Sequence, residues 1–112
     1  MKKLETQHDW DDVKGSIKTP LLLIKLSPIC PTSFSAERIF NSWAENVDES
    51  KISLFSINVI AARPLSRSIA SELNITHQSP QAIFLNSDMK VISEASHYSI
   101  DESWLNNCLK GL

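Results

Sequence analysis

The sequence predicts an α/β fold in which helices flank a four-stranded mixed sheet. Two observations lead to this prediction. In the first part of the chain, short apolar runs alternate with segments of helical periodicity, which indicates parallel strands joined by right-handed crossovers. Near the end of the chain, two further apolar segments are separated only by a polar turn, which indicates an antiparallel hairpin. The predicted order is α-β-α-β-α-β-β-α.

The composition indicates one folded domain over residues 1–112, because 42% of the residues are hydrophobic and 21% are charged. A formal net charge of −2 gives no reason to expect nucleic acid or an anionic membrane as a partner. The longest apolar run, Leu21 to Ile24, is much shorter than the roughly 20 residues of a membrane span. The start of the chain lacks the apolar region of a secretory signal, so we expect a cytoplasmic protein.

A short helix and a buried strand are predicted at the N-terminal end. The helix covers residues 6–14, with Thr6 or Asp9 as its N-cap and Gly15 as a left-handed stop. The strand, Leu21–Leu26, is an almost continuous apolar run, as in a strand that is covered on both faces.

The clearest helix of the sequence begins at Pro31, since a proline is tolerated in the first helical turn. Its apolar residues recur with a period of 3.6 residues and form one face. They are Ala36, Ile39, Phe40, Trp43, Ala44 and Val47. This placement puts Cys30 at or next to the N-cap. Residues 51–59 then predict a second strand, and Pro64 opens a third helix.

The C-terminal part is predicted to contain the hairpin and a last helix. The hairpin strands are Gln81–Asn86 and Met89–Ala95, on either side of a polar turn at Ser87–Asp88. Ser99 and Glu102 have the spacing of a capping box, which predicts the start of the helix.

Cys30 is the candidate nucleophile. The N-terminus of a helix presents unpaired N–H groups and about half a positive charge, which lowers the pKa of a cysteine placed there. Ser33 lies one turn into the helix, where its hydroxyl would donate to the thiolate. Dithiol redox proteins have their second cysteine at that position, and a hydroxyl cannot resolve a mixed disulfide. The pattern therefore predicts monothiol exchange, in which an outside thiol releases the adduct from Cys30.

Two other positions have competing interpretations. Cys108 shares the inward face of the last helix with Trp104 and Leu105, so core packing is favoured over a role as a resolving cysteine. The dipeptide Ser79-Pro80 precedes the third predicted strand. In the trans state it would be an ordinary turn, whereas in the cis state it would bring the Ser79 backbone beside Cys30 to pair with an extended substrate.

Several basic residues have no assigned role at this stage. His77 and His97 are not expected to bind a metal, because no second pair of cysteines or histidines stands at ligand spacing. His77 is a candidate for polarising the thiolate, and Arg63 and Arg67 are candidates for holding a substrate carboxylate. Solvated surface charge is the default interpretation of both arginines, and the same two interpretations apply to Lys25.

Three separate stretches, Cys30–Ser33, Ser66–Ala82 and Ser96–Ile100, resemble the small monothiol bacilliredoxins of the bacillithiol redox system. That resemblance implies a bacterial, cytoplasmic protein with a thioredoxin-like fold that acts on protein–bacillithiol mixed disulfides. It also implies that Cys30 is the reactive cysteine and that Pro80 is the thioredoxin-type cis-proline. Ile29 and Tyr98 depart from the family pattern, in which a threonine and a tryptophan are expected.

On this interpretation the protein is a thiol-disulfide oxidoreductase with Cys30 and Ser33 as catalytic residues. The substrate groove is expected to be formed by Pro31, Thr32, Ser79 and Pro80. The expected partners are S-thiolated proteins, with bacillithiol as a co-substrate, no metal and no tightly bound cofactor. We expect a monomer or a weak dimer.

Two other classes of function stay open on the sequence alone. One is a non-catalytic binding module or redox sensor that uses the same groove. The other is iron–sulfur coordination between two monomers, as in some monothiol glutaredoxin relatives. The second is disfavoured because Pro31-Thr32 replaces the Gly-Phe pair typical of those proteins.

Overall fold

A computed structural model describes residues 1–110 and residue 112. In chain order the elements are β1 (Lys2–Lys3), α1 (Gln7–Ser16), β2 (Leu21–Leu26), α2 (Pro31–Ala44), β3 (Ser53–Asn58), α3 (Arg63–Leu73), β4 (Gln81–Leu85), β5 (Val91–Ser96), a 3₁₀-helix (His97–Ser99) and α4 (Glu102–Leu109). Within this described part, no helix is both long enough and apolar enough to cross a membrane.

The predicted mixed sheet is confirmed, with one additional strand. The strand order is β1-β3-β2-β4-β5. β3 pairs in parallel with β1 and β2, whereas β4 pairs antiparallel with β2 and β5. The additional strand, β1, consists of only two exposed lysines that pair with Phe55 and Ser56. It was missed because two lysines carry none of the apolar alternation that identifies a strand.

The central strand β2 is buried on both faces, as its apolar run predicts. Leu21 and Leu23 pack into one cluster with residues of α1 and α3. Leu22 and Ile24 pack into the cluster on the opposite face, with residues of α2 and α4. The two faces of the sheet are therefore covered by separate pairs of helices.

Gly15 does not end the first helix, contrary to the prediction. Thr6 is the N-cap, and it forms a full capping box with Asp9. The helix continues through Gly15 to Ser16, because the N–H of Ile17 still donates to the carbonyl of Val13 at 2.9 Å. No described glycine has the left-handed backbone that the predicted stop requires.

The capping box predicted at Ser99 and Glu102 is also wrong. Ser99 lies in the 3₁₀-helix, and the N-cap of α4 is Asp101. A carboxylate oxygen of Asp101 accepts a hydrogen bond from the N–H of Trp104 at 2.8 Å. Asp101 has the acceptor geometry of an N-cap, and its carboxylate also interacts favourably with the helix dipole.

The inward face of α2 is narrower than predicted. Ala36, Phe40 and Trp43 are buried, whereas Ile39 is 39% exposed. Ile39 lines a groove between α2 and α4. Val47 lies beyond the end of α2 and packs against the core from the following loop.

Three connections meet at one edge of the sheet, and this meeting positions the candidate site. Lys25, near the end of β2, is opposite Ile57 of β3 and Gln81 of β4. Just beyond, the N–H of Val59 donates to the carbonyl of Leu26 at 2.9 Å. The loops after β2 and β3 and the segment before β4 therefore leave the sheet side by side.

Candidate functional site

Cys30 is the N-cap residue of α2, as predicted. Its backbone is extended, with φ −105° and ψ 118°, and its carbonyl accepts the N–H of Phe34 at 3.2 Å. Pro31 occupies the first helical position, where it pre-sets the backbone angle. The side chain of Cys30 is half-buried at the end of the loop that follows β2.

The helix start lowers the pKa of the Cys30 thiol. The largest contribution comes from the N–H of Ser33, and smaller ones come from the N–H of Thr32 and the hydroxyls of both residues. Among the described residues, the Cys30 side chain makes no capping hydrogen bond. These groups therefore act on the sulfur mainly as oriented dipoles, which stabilise the thiolate over the thiol.

Ser33 has a second role that the sequence did not indicate. The residue is 1% exposed, and its Oγ accepts a hydrogen bond from the N–H of Ser27 at 3.0 Å. This bond ties the first turn of α2 to the loop that leaves β2. The N–H of Ser33 thus lowers the pKa of Cys30, and its hydroxyl oxygen holds the loop that leaves β2.

The Ser79-Pro80 peptide bond is cis, which is one of the two states that the sequence left open. Pro80 is buried, and its carbonyl accepts the N–H of His97 at 3.0 Å. Ser79 Oγ is buried and has no hydrogen-bond partner among the described residues. Because Gln81 is opposite Lys25 in the antiparallel pair, this dipeptide lies at the same sheet edge as the loop that carries Cys30.

Lys25 is the main residue of this edge whose role the sequence did not resolve. Its side chain is fully buried, and Nζ donates to the carbonyl of Ser66 at 3.0 Å. Nζ also lies 3.2 Å from Nδ1 of His77. Burial lowers the pKa of Lys25 to about 8. The sequence left its role open, and its partners come from α3 and the loop before β4.

His77 contacts Lys25 rather than the thiolate. Its Nδ1 also lies 3.4 Å from Ser66 Oγ, and it is not among the groups that shift the pKa of Cys30. The pKa of His77 is lowered, first by burial and then by the positive charges of Lys25, Arg67 and Arg63. No contact among the described residues therefore supports a direct role of His77 in polarising the Cys30 sulfur.

Cys108 is a core residue. Its side chain is 6% exposed and packs in the cluster between the sheet, α2 and α4. Burial raises the pKa of this thiol to about 11, so it stays protonated at neutral pH. A protonated, buried thiol is a poor nucleophile.

Exposed apolar side chains surround the sheet edge that carries Cys30. Ile29 is 80% exposed and directly precedes the cysteine, whereas Phe34 lies in the first turn of α2 and is 63% exposed. Ile60, after β3, is 50% exposed, and Tyr98, after β5, is 82% exposed. Scattered exposed apolar residues are ordinary, but a group of them at one sheet edge is typical of an interaction site.

Comparison with known proteins identifies a family over almost the whole chain. The sequence profile of the family described as monothiol bacilliredoxin BrxC matches residues 2–105. One similar solved structure is a protein described as a candidate oxidoreductase with a thioredoxin fold. It is 26% identical, with a TM-score of 0.82 over 96% of this chain and 91% of that protein.

Two thioredoxins share the fold at lower identity. The thioredoxin of Malassezia sympodialis is 14% identical, with a TM-score of 0.75 over 98% of this chain and 88% of its own. That of Fasciola hepatica is 14% identical, with a TM-score of 0.74 over 98% of this chain and 97% of its own. These two similarities show the fold alone.

Proposed function

This chain belongs to the monothiol bacilliredoxin family, and from that membership we propose that it is an enzyme that removes bacillithiol from protein mixed disulfides through Cys30. A thiol redox role is what the family and the thioredoxin fold support. The observation that carries the finer proposal is the pairing of Cys30 at the helix N-cap with a serine, Ser33, at the position of a second cysteine.

The proposed reaction has two balanced steps. The Cys30 thiolate attacks the small-thiol sulfur of the mixed disulfide, the S–S bond breaks, and the protein thiolate leaves and takes a proton. Cys30 then carries the small thiol as a new disulfide. A second, outside thiolate attacks the sulfur of that adduct, forms the oxidised small thiol and returns Cys30 as a thiolate. The two electrons that reduce the substrate protein therefore come from outside thiols.

The substrate groove is proposed to lie between the Cys30 loop and the segment before β4. An extended stretch of the substrate protein would pair with the backbone of Ser79, in the manner of strand addition. Pro31, Thr32 and Pro80 would form the walls of the groove. The exposed side chains of Ile29 and Tyr98 would contact apolar surface around the thiolated cysteine of the substrate.

This chemistry needs no tightly bound cofactor, and bacillithiol serves as a co-substrate. Reduced thiols are required for turnover, which fits a protein that works in the cytoplasm, where thiols are kept reduced.

The test is reduction of a bacillithiolated peptide by wild-type protein and by two cysteine variants. Cys30→Ser is expected to abolish reduction, whereas the control Cys108→Ser retains it. Intact mass after incubation with oxidised bacillithiol should show one adduct, on Cys30, that free thiol removes. Full activity of Cys30→Ser would contradict the proposal. An unmodified wild-type protein would favour a non-catalytic binding module.

A further inference from the structure

A cavity with several basic lining residues lies at the sheet edge that carries the Cys30 loop. It has a volume of about 360 Å³, within the range of small-molecule sites. Arg63 and Arg67 of α3 supply its charged lining and His77 adds a titratable imidazole, and none of the described residues that line it is acidic. We call this cavity the cationic pocket. Val59 and Ile60 form its apolar side.

Lys25 contacts two of the residues that line the cationic pocket. It is fully buried, and its Nζ bonds to Ser66 and His77, both of which line the pocket. A buried lysine is costly unless an anion or several acceptors compensate it. Here one carbonyl and one imidazole nitrogen are the only partners among the described residues.

No described carboxylate forms a salt bridge with the positive charges of the pocket. The salt bridges among the described residues involve Met1, His8, Lys14 and their carboxylate partners, and none involves Lys25, Arg63, Arg67 or His77. Three basic side chains thus line one cavity, a fourth, Lys25, contacts two of the lining residues, and none of the described lining residues carries a carboxylate. Such an arrangement attracts an anion from solution.

The cationic pocket opens at the sheet edge that carries Cys30. Val59 donates its N–H to Leu26, four residues before the cysteine, and His77 lies three residues before Pro80. The pocket and the loop that carries Cys30 therefore lie at the same sheet edge. Arginine side chains recognise carboxylates in two-pronged geometry, which fits a ligand with carboxylate groups.

We propose that the cationic pocket binds the carboxylates of the small thiol that Cys30 takes up. This inference rests on the proposed function and names the part of the co-substrate that is recognised. A carboxylate on the substrate protein has the same chemistry. The small thiol is favoured because the cavity has the size of a small-molecule site and lies at the same sheet edge as the loop that carries Cys30.

The kinetic test compares two adducts on one peptide that has no acidic residue and an amidated C-terminus. The adducts are bacillithiol and its dimethyl ester, in which the carboxylates are capped. For the first adduct, the double variant Arg63→Gln/Arg67→Gln is expected to raise KM about fivefold to tenfold with kcat little changed. The ester should be bound weakly by the wild type and by the double variant alike.

Arg38→Gln is the matched control, because Arg38 is an exposed arginine of α2 that lines a different cavity. It should behave as the wild type with both adducts. The proposal fails if the double variant has the wild-type KM for the bacillithiol adduct. It also fails if the double variant raises KM equally for the bacillithiol adduct and for its dimethyl ester, since the recognised group would then not be a carboxylate of the thiol.

A second measurement does not depend on catalysis. In the Cys30→Ser variant, the pKa of His77 is followed by NMR with S-methylbacillithiol, and His77→Asn assigns the signal. A bound carboxylate offsets the positive charges of Lys25, Arg63 and Arg67, so the pKa of His77 should rise, and the dimethyl ester should leave it unchanged. An unchanged pKa with both probes overturns the inference. A raised pKa in a protein whose wild type reduces neither adduct overturns the proposed function instead.

Discussion

At the scale of single residues, a substitution at Ser33 distinguishes the effect of its N–H on the Cys30 pKa from the effect of its hydroxyl. Ser33→Ala keeps the N–H that contributes most to the lowered pKa of Cys30 and removes only the hydroxyl. We expect a small rise in the Cys30 pKa, seen as a shift to higher pH in the rate of alkylation by iodoacetamide. The same change leaves the N–H of Ser27 without its partner and should lower the free energy of unfolding by about 1–2 kcal/mol.

Ser33→Thr provides the control for this prediction, because it restores a hydroxyl. It should return the pH dependence of the alkylation rate to that of the wild type, whereas its added methyl should lower the free energy of unfolding because the position is 1% exposed. A Ser33→Ala variant with wild-type stability would show that the bond to Ser27 contributes nothing.

Lys25 makes stability depend on pH in a predictable direction. Its pKa falls from the ordinary 10.5 to about 8 in the folded state, so between these values the unfolded chain binds more protons. Stability due to this group is therefore reduced below pH 8 and is regained as the pH rises toward 10.5. Lys25→Met should raise the free energy of unfolding at pH 7 by on the order of 1–3 kcal/mol.

Urea unfolding of both proteins between pH 7 and pH 10 measures this effect. The difference between the two curves isolates Lys25, because Cys108 is common to both. The pKa of Cys108 is raised to about 11, so its contribution to stability is lost as the pH rises above the ordinary cysteine value. A wild type and a Lys25→Met variant with a constant difference across this range would contradict the lowered pKa.

At the scale of elements, the start of α4 distinguishes the observed cap from the predicted one. Asp101→Ala removes the acceptor for the N–H of Trp104 and should lower the free energy of unfolding by about 1 kcal/mol. Ser99→Ala is the matched control and should change it by less than about 0.5 kcal/mol. Thermal unfolding followed by circular dichroism would measure both variants. Equal losses of stability would favour Ser99, the residue that the sequence predicts as the cap.

The site elements differ in how far they could be predicted. Cys30 at the N-cap follows from local signals, an apolar strand and a proline, that lie within a few residues of it. The contact between Lys25 and His77 joins residues 52 positions apart, and no local pattern encodes it. The cationic pocket could therefore only be suspected from the arginines of α3, whereas the fold class followed from periodicity alone.

At the scale of the whole molecule, the sheet is covered on both faces, and this makes the fully buried leucines of β2 sensitive to truncation on either face. Leu22→Ala and Leu23→Ala remove side chains that are fully buried in opposite clusters. Each should lower the free energy of unfolding by about 2–5 kcal/mol. Chemical denaturation measures both variants, and a large loss for only one of them would mean that one face of the sheet is not closely packed.

The buried serine at position 33 also constrains protein engineering. Replacing Ser33 with cysteine would recreate the spacing of a dithiol, but sulfur is larger than oxygen and a much weaker acceptor. The N–H of Ser27 would lose its partner, and a residue that is now 1% exposed would have to accommodate the extra volume. Conversion of this chain to a self-resolving reductase would therefore require repacking of the loop that leaves β2, in addition to the second sulfur.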